Sequence, residues 1–249
     1  MDLNLAGKVA IVTGGGQGFG KAYCLAFAEE GVSVVVTDIN AETAQQVAEE
    51  IKSKGGKALA IKVDVTIWED VSKMVNEALK EFGQIDILIN NAGARGFALV
   101  EEMSDEHWDR ELNINLRSAF YCTKAVARHM KERRYGKIIN QSSLAAFGHP
   151  NRGSAYGAAK AGMLGFSRSM AMELGPFNIN VNAIAPTVTR TAFMGNLPEE
   201  TIEGFKKASM LGRIGEVEDF TGMVLLLASD RSGLITGQTL LIDGGVRPT

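Results

Sequence analysis

The sequence predicts an α/β fold, with helices on both faces of a parallel sheet in one doubly wound domain. Three observations predict it. Short β-rich runs recur along the chain, and most are continuously apolar, as expected of strands that are buried on both faces. Strand and helix patterns alternate from Lys8 to about Gly175, which favours right-handed crossovers between parallel strands. No linker or low-complexity stretch interrupts the alternation, so residues 1–249 are predicted to form a single domain.

The runs that alternate with helical patterns are the predicted strands. They are VAIVT (9–13), VSVVVT (32–37), ALAIKV (58–63), IDILIN (85–90), KIINQS (137–142), INVNAIA (179–185) and TLLID (239–243). Helices are predicted for AETAQQVAEEIKSKG (41–55) and WEDVSKMVNEALKEFG (68–83), and each pattern ends at a glycine, which is a helix-stop signal. Ligands of open parallel sheets bind beyond the carboxyl ends of the strands, so the residues that follow the strands are the candidates for a site.

The composition excludes several classes of function. Apolar residues make up 45% of the 249 residues, charged residues 22%, and the net charge is -3, which is typical of a globular protein. The scattered basic residues argue against nucleic acid binding. The N-terminal MDLNLAGK lacks a signal-peptide core, and no apolar run approaches the ~20 residues of a membrane span. Cys24 and Cys122 offer neither a disulfide framework nor metal-ligand spacing, so we expect a cytoplasmic protein without a metal site.

The glycine-rich segment TGGGQGFG (13–20) directly follows the first predicted strand. It does not fit GxGxxG, because the sixth position counted from Gly14 is Phe19, and its spacing is instead TGxxxGxG. Glycines permit a tight turn, and the N-terminus of the next helix offers free N–H groups to a pyrophosphate. A flexible turn is the alternative, since a glycine loop alone is weak evidence. The predicted cofactor contacts in this segment are Gly14, Gln17, Gly18, Phe19 and Gly20.

An acidic residue, Asp38, ends the second predicted strand. An acid at this distance from the loop can bind the ribose hydroxyls of adenosine. Asp38 can also cap the helix that is predicted from Ala41, and the two roles can coexist. A carboxylate repels the additional phosphate of NADP, and neither Ile39 nor Asn40 nor Gln17 supplies a compensating positive charge. Charge therefore favours NAD as the cofactor.

The third and fourth predicted strands are followed by Asp64-Val65 and by Asn90-Asn91-Ala92-Gly93. Each of these is a common strand-ending turn when it is taken alone. Their joint position at the carboxyl ends of successive strands makes both of them candidate cofactor contacts.

Three residues form a candidate acid/base site. Tyr156 and Lys160, in YGAAK, lie on one face of a helix, and Ser143 follows the fifth predicted strand on the same rim. A phenol with a pKa of about 10 is a poor base unless a positive neighbour stabilises the phenolate, and Lys160 can supply that charge. The Ser143 hydroxyl can hold a substrate oxygen. The alternative is an ordinary helical Tyr/Lys pair and a serine that ends a strand.

Taken in order, these motifs resemble the short-chain dehydrogenase/reductase family over essentially the whole chain. The matching features are TGxxxGxG at 13–20, Asp38, Asp64-Val65, NNAG at 90–93, Asn115, Ser143 and YxxxK at 156–160. The resemblance implies a Rossmann-like fold with a seven-stranded parallel sheet and a nicotinamide cofactor.

The resemblance also implies catalytic roles. Tyr156 is the acid/base, Ser143 orients the substrate oxygen, and Lys160 lowers the pKa of the tyrosine and binds ribose. Asn115 supports a proton-relay water, for which Asn113 competes, although the spacing matches the family at Asn115. The implied reaction is reversible hydride transfer between NAD and a secondary alcohol/ketone pair.

For the cofactor, the resemblance places Val65 and Asn91 near adenine and its ribose. The family usually has Pro-Gly after the sixth strand, whereas this chain has Pro186-Thr187, which questions the local loop shape. Val188 and Thr191 still match a backbone contact and a carboxamide contact. The full set of expected cofactor contacts is Gly14, Gln17, Gly18, Phe19, Gly20, Asp38, Asp64, Val65, Asn91, Ala92, Gly93, Tyr156, Lys160, Pro186, Val188 and Thr191.

The substrate site is expected on the loops of the same rim. Candidate substrate residues are Arg95, Phe97, Ser143, Phe147, His149, Arg152, Tyr156 and Phe193. Arg95, Arg152 and Arg190 suggest an anionic substrate, or are simply solvated. Residues 187–212 are the predicted substrate loop, either a mobile cover or a fixed helical pair.

Two alternative functions stay open. LGRIGEVEDF (211–220) and ITGQTLLIDGG (235–245) are similar to the 3-oxoacyl carrier-protein reductase branch of the family, which favours NADPH and typically has a base in the glycine loop. Gln17 and Asp38 argue against that cofactor. A catalytically silent nucleotide sensor or scaffold is the alternative of another class. The resemblance further implies a homotetramer that assembles through helices around 112–134 and 155–175.

Overall fold

The protein is described by a computed structural model over residues 2–148, 152–195 and 197–247. The strands are β1 (Val9–Thr13), β2 (Ser33–Asp38), β3 (Ala58–Lys62), β4 (Ile87–Asn90), β5 (Gly136–Gln141), β6 (Ile179–Pro186) and β7 (Thr239–Ile242). They form one sheet of order β3-β2-β1-β4-β5-β6-β7, and every neighbouring pair is parallel. The seven-stranded, doubly wound sheet that the sequence predicts is confirmed.

Helices cover both faces of this sheet. Those in the described ranges are α1 (Gly18–Glu29), α2 (Ala41–Ser53), α3 (Trp68–Phe82), α4 (Asp105–Leu112), α5 (Ser118–Arg133), α6 (Ser154–Leu174), α7 (Glu199–Ala208) and α8 (Glu218–Ala228). One core joins the sheet to α1, α2 and α8, and a second core joins the other face to α3, α5 and α6. Successive residues of β1 alternate between the two cores, so the strand is buried on both faces.

Local signals set the helix ends. Gly83, with φ 77, ends α3 in the left-handed conformation, as its pattern predicts. The side chain of Asn40 caps α2 by accepting hydrogen bonds from the N–H groups of Glu42 and Thr43. The alternative role of Asp38 as this cap is therefore wrong, because its neighbour holds that position.

The single long helix that was expected around 112–134 is interrupted. A π-helical turn, Asn113–Arg117, separates α4 from α5. Such turns widen the helix by one residue and are frequent at functional sites. None of the helices in the described parts of the chain combines the length and the apolar character that crossing a bilayer requires.

The order of the strands reverses between β1 and β4. From β1 the chain builds outward to β3 on one side, and from β4 it builds to β7 on the other. The connections that leave β1 and β4 therefore diverge, and a crevice opens at their carboxyl ends. The glycine loop and the NNAG segment border this crevice.

Candidate functional site

A cleft of about 1370 Å³ lies along the carboxyl ends of the strands. Nearly all of the predicted cofactor and catalytic residues line it. They are Gly14, Gln17, Gly18, Phe19, Asp38, Asp64, Val65, Asn91, Ala92, Gly93, Asn115, Ser143, Tyr156, Lys160, Pro186, Val188 and Thr191. Residues that are far apart in the chain therefore converge on one rim, as the strand-end argument predicts.

Gly20 is the predicted cofactor contact that does not line the cleft. It is buried, and a Cβ atom at this position would overlap the Gly14 carbonyl and lie 2.7 Å from Nδ2 of Asn91. Gly20 therefore lets α1 pack closely against the glycine loop, and its contact with the cofactor stays a prediction.

The start of α1 fits a pyrophosphate. The N-cap residue, Gln17, makes no side-chain hydrogen bond to the first turn, so those N–H groups stay open to an anion. Gly18 has φ 53, and a Cβ atom there would stand 3.7 Å from Thr191 across the cleft. A side chain at this position would fill the cradle that the backbone leaves for a phosphate.

The half-buried carboxylate of Asp38 is held at the adenosine end of the cleft. Its Oδ2 accepts a hydrogen bond from the Gly16 N–H at 3.0 Å, and its Oδ1 accepts one from the Asn40 N–H at 3.0 Å. Asp38 thus fixes the glycine loop while its oxygens remain at the cleft, where they can accept from ribose hydroxyls.

The NNAG segment is bonded to the glycine loop. The Asn91 side chain donates to the carbonyl oxygens of Thr13 at 2.8 Å and Gly14 at 3.1 Å. The Thr13 hydroxyl in turn accepts from the N–H groups of Asn91 and Ala92, each at 3.0 Å. These bonds set the width of the crevice between β1 and β4.

The predicted acid/base residues lie together on α6 and on the turn after β5. Tyr156 and Lys160 are both buried, and the Lys160 Nζ lies 5.7 Å from the centroid of the tyrosine ring. That Nζ donates to the Gln141 carbonyl at 2.8 Å. A hydrogen bond joins the side chains of Ser143 and Tyr156. Serine, tyrosine and lysine therefore form one contiguous group.

Burial governs the proton affinities of this group. Burial raises the pKa of Tyr156 to about 12, although the Ser143 hydrogen bond and the positive charge of Arg95 both oppose that shift. Burial also lowers the pKa of Lys160 to about 8, which the negative charge of Glu111 opposes. The cation identified as lowering the tyrosine pKa is Arg95, and the expected effect of Lys160 stays a prediction.

Asn115 lies in the π-helical turn, and one of its side-chain polar atoms lacks a hydrogen-bond partner among the described residues. Its Nδ2 donates to the Ala94 carbonyl at 2.7 Å and to the Glu111 carbonyl at 3.0 Å, while its buried Oδ1 has no partner among the described residues. A Cβ atom on Gly93 would lie 2.8 Å from this Oδ1 and 3.6 Å from the Lys160 Nζ. Both groups therefore border one gap, and the relay role of Asn115 stays a prediction.

Glu111 is a site residue that sequence reasoning missed. Its side chain has no exposed surface, its Oε2 accepts from the Asn115 Nδ2 at 3.3 Å, and its Oε1 pairs with Arg110 at 3.3 Å. Burial raises its pKa, which the charge of Arg110 opposes. The signal in the sequence is its position four residues before Asn115, which places both side chains on one helical face.

The predicted substrate residues divide into two groups. Arg95, Phe97, Arg152 and Phe193 line the cleft. Phe147 does not, and Arg247 instead donates to its carbonyl at 2.7 Å. Arg247 itself lines the cleft and was missed, because nothing in the C-terminal sequence places it there. His149 lies outside the described residues.

Arg190 was also expected to face an anionic substrate. It does not line the cleft, and its Nε instead pairs with Glu216 at 3.1 Å. The charge of Arg190 therefore has a partner within the protein, which favours the alternative of a solvated arginine.

The predicted substrate loop covers one side of the cleft. It contains a short 3-10 turn, Ala192–Met194, and one helix, α7, from which Thr201, Phe205 and Ala208 face the cleft. The described residues of this segment, 187–195 and 197–212, therefore contain one helix and not a pair. Thr187, at the usual glycine position, is not among the residues with positive φ, so the substitution introduces no left-handed strain.

Comparison with known proteins agrees with this geometry. Residues 8–201 match the family described as short chain dehydrogenase. The sequence is 37% identical, over 98% of both chains, to the (2S)-((R)-hydroxy(phenyl)methyl)succinyl-CoA dehydrogenase subunit BbsD of Thauera aromatica. It is 38% identical to the 3-oxoacyl-(acyl-carrier-protein) reductase FabG of Thermotoga maritima, over 98% of this chain and 99% of that protein.

Similarity extends to solved structures. A 7 alpha-hydroxysteroid dehydrogenase in complex with NADH and 7-oxo glycochenodeoxycholic acid aligns with a TM-score of 0.95 and 35% sequence identity. The alignment covers 98% of this chain and 96% of that chain. The similarity therefore includes the sheet, both helical layers and the cleft.

Proposed function

Because the chain belongs to the short-chain dehydrogenase family, we propose that it is an NAD-dependent oxidoreductase that interconverts a secondary alcohol and a ketone. The observation that carries this proposal is the contiguous group of Ser143, Tyr156 and Lys160, which lies on the same cleft as the open N-terminus of α1. In this proposal, the Ser143, Tyr156 and Lys160 group transfers a proton, and the N-terminus of α1 binds a dinucleotide.

Four residues, Ser143, Tyr156, Lys160 and Asn115, have the proposed catalytic roles. Ser143 and Tyr156 hold the substrate oxygen through their hydroxyl groups, and the tyrosine accepts the proton of the alcohol or donates a proton to the ketone. Lys160 stabilises the phenolate by its positive charge and binds ribose, and the free Oδ1 of Asn115 holds a water between the lysine and solvent. The bound nicotinamide supplies hydride transfer.

The proposed preference for NAD rests on Asp38. Its carboxylate lies at the cleft and is fixed by the Gly16 N–H, where it favours two ribose hydroxyls and repels a phosphate. Neither Gln17 nor Ile39, which line the same end, provides a positive charge. The similar hydroxysteroid dehydrogenase structure contains NADH.

A second candidate is an NADPH-dependent 3-oxoacyl thioester reductase. The similar proteins from Thauera and Thermotoga are named for thioesters of coenzyme A and of acyl carrier protein. The size of the cleft, about 1370 Å³, is compatible with a long substrate. The carboxylate of Asp38 argues against the phosphate of NADPH, so this candidate ranks second.

We also propose a cytoplasmic homotetramer. The free thiols of Cys24 and Cys122 are buried and unbridged, which suits a reducing compartment. Phe120 on α5 and Met172 on α6 expose 45% and 82% of their surface, which supports assembly through these helices. Sedimentation at micromolar concentration tests the assembly, and a monomer would contradict it.

The function is tested by a screen of the purified protein. NAD reduction is measured over secondary alcohols, polyols, hydroxy acids and steroids, in parallel with oxidation of NADPH by 3-oxoacyl thioesters. Turnover of an alcohol with NAD supports the main proposal, and turnover restricted to thioesters with NADPH supports the second candidate. Tight NADH binding without any turnover would favour the sensor or scaffold function.

A further inference from the structure

A guanidinium group lies beside the acid/base. The Arg95 Cζ is 5.1 Å from the centroid of the Phe97 ring and 5.0 Å from that of the Phe193 ring. The Phe193 ring is in turn 6.2 Å, centroid to centroid, from the ring of Tyr156. Two aromatic rings therefore hold the positive charge of Arg95 one side chain away from the reacting group.

Most of the hydrogen-bonding capacity of Arg95 is unused. A guanidinium has five N–H donors, and one of them, at Nη2, donates to the Met194 carbonyl at 3.2 Å. Within residues 2–148, 152–195 and 197–247, no carboxylate forms an ion pair with it. The side chain is half-buried and lines the cleft. A partly desolvated cation without a counter-charge is costly, and an anion in the cleft would offset that cost.

Two other arginines, Arg190 and Arg110, behave differently. Arg190 is exposed and paired with Glu216 outside the cleft, so its charge is already balanced. Arg110 likewise pairs with the buried Glu111. Of these three arginines, Arg95 is therefore the one whose charge acts on Tyr156 and has no carboxylate partner among the described residues.

We propose that the substrate is a hydroxy acid, and that Arg95 binds its carboxylate through the N–H donors that the protein leaves free. This proposal rests on the proposed function and specifies its substrate class. Planar, bidentate pairing with a carboxylate is the contact that a guanidinium makes best. The guanidinium and the phenol both lie against the Phe193 ring and line the same cleft, so a short hydroxy acid can contact both groups at once.

The proposed reaction is the oxidation of a hydroxy acid by NAD⁺. A hydroxy acid and NAD⁺ give an oxo acid, NADH and a proton. The carbinol carbon is oxidised as its C–H bond breaks and the hydride is transferred, and the hydroxyl proton goes to Tyr156 and then to solvent. The carboxylate is unchanged, so Arg95 orients the substrate and forms no bond with it.

The test compares short straight-chain hydroxy acids with their methyl esters, which keep the same hydroxyacyl chain and carry no negative charge. kcat/KM is measured with NAD for the wild type and for Arg95→Met, Arg95→Lys and Arg190→Met. In Arg95→Met, we expect kcat/KM for the acid to fall about 10- to 100-fold more than that for the ester, mainly through KM. Arg95→Lys should retain part of the preference for the acid over the ester. Arg190→Met should leave kcat/KM unchanged for both substrates.

The ester separates this proposal from the proposed function. Any general damage to Tyr156 lowers the rates for acid and ester equally, whereas loss of the carboxylate contact lowers the rate for the acid alone. If the wild type oxidises neutral alcohols and esters as well as the acids, the carboxylate proposal is wrong while the function stands. If no alcohol or ketone is turned over, the proposed function fails. If Arg95→Met does not fold, the preference of the wild type and the Arg95→Lys variant still decide the question.

Discussion

The Nζ of Lys160 lies 5.7 Å from the centre of the Tyr156 ring, and it donates at 2.8 Å to the carbonyl of Gln141 at the end of β5. The end of the strand thus fixes the ammonium group, and α6 fixes the phenol. Burial lowers the pKa of the lysine to about 8 and raises the pKa of the tyrosine to about 12.

The pH dependence of oxidation follows from this pair. Oxidation needs the phenolate form of Tyr156, so kcat/KM for the alcohol rises with pH. Lys160→Met removes the buried positive charge, and we expect the rise to move upward by at least about one pH unit, with a loss of about 10-fold or more near pH 7. Profiles from about pH 6 to about pH 10 measure this, and an unchanged midpoint in the variant contradicts the role of the lysine.

Replacing Asp38 changes cofactor preference. Asp38→Ala removes the carboxylate at the adenosine end, and we expect the ratio of kcat/KM for NAD to that for NADP to fall about 10-fold or more. Asn40→Ala is the matched control, because it removes the cap of α2 beside Asp38 without removing that charge. If both variants keep the wild-type ratio, Asp38 does not select the cofactor.

The buried carboxyl of Glu111 should affect how the stability of the protein depends on pH. Burial raises the pKa of this carboxyl, so the folded state binds its proton more tightly than the unfolded state, and stability is lost as pH rises through the interval between the two pKa values. The Tm of Glu111→Gln, relative to the wild type, should therefore increase from about pH 4 to about pH 7.

Glu106 provides a control of opposite sign. The Ser104 side chain lowers the pKa of its carboxyl, so the wild type gains stability as pH rises toward the ordinary glutamate pKa of about 4.3, and the relative Tm of Glu106→Gln should fall over that more acidic interval. Differential scanning calorimetry at several pH values measures both trends in Tm. A relative Tm of Glu111→Gln that falls with pH would show that its carboxyl is stabilised as an anion.

Gly20 and Gly222 should respond oppositely to the same substitution. A Cβ atom on Gly20 would overlap the Gly14 carbonyl, so Gly20→Ala should destabilise the protein by about 2 kcal/mol or more. Gly222 lies within α8 with nothing near its Cβ position, so Gly222→Ala should stabilise by about 0.5–1 kcal/mol. Urea unfolding measures both changes, and equal effects would contradict the packing role of Gly20.

Sequence reasoning reached the residues that directly follow strands. Asp38, Asn91 and Ser143 each end or follow a strand, and parallel strands bring their carboxyl ends to one edge. It did not reach Glu111 or Arg247, because their positions depend on how α4 and the C-terminal segment pack onto that edge. Packing between distant segments leaves no local pattern of apolar and polar residues.

The same limit explains why two residues near the strand ends do not line the cleft. Arg190 follows β6 in sequence, but its pairing with Glu216 draws its charge away from the cleft. Gly20 belongs to the glycine motif, yet it packs against Gly14 and does not line the cleft. A motif therefore identifies which residues occur together, while tertiary contacts decide whether each one meets a ligand.

Tyr156 is proposed to be the acid/base of an NAD-dependent alcohol oxidation. The most direct measurement is kcat for Tyr156→Phe on the best alcohol of the screen, together with the Kd of NADH from fluorescence titration. We expect kcat to fall by about 10³-fold or more, because the phenol that transfers the proton is absent, and the Kd to change by less than about threefold. Turnover within about tenfold of the wild type, with NADH binding retained, would contradict it.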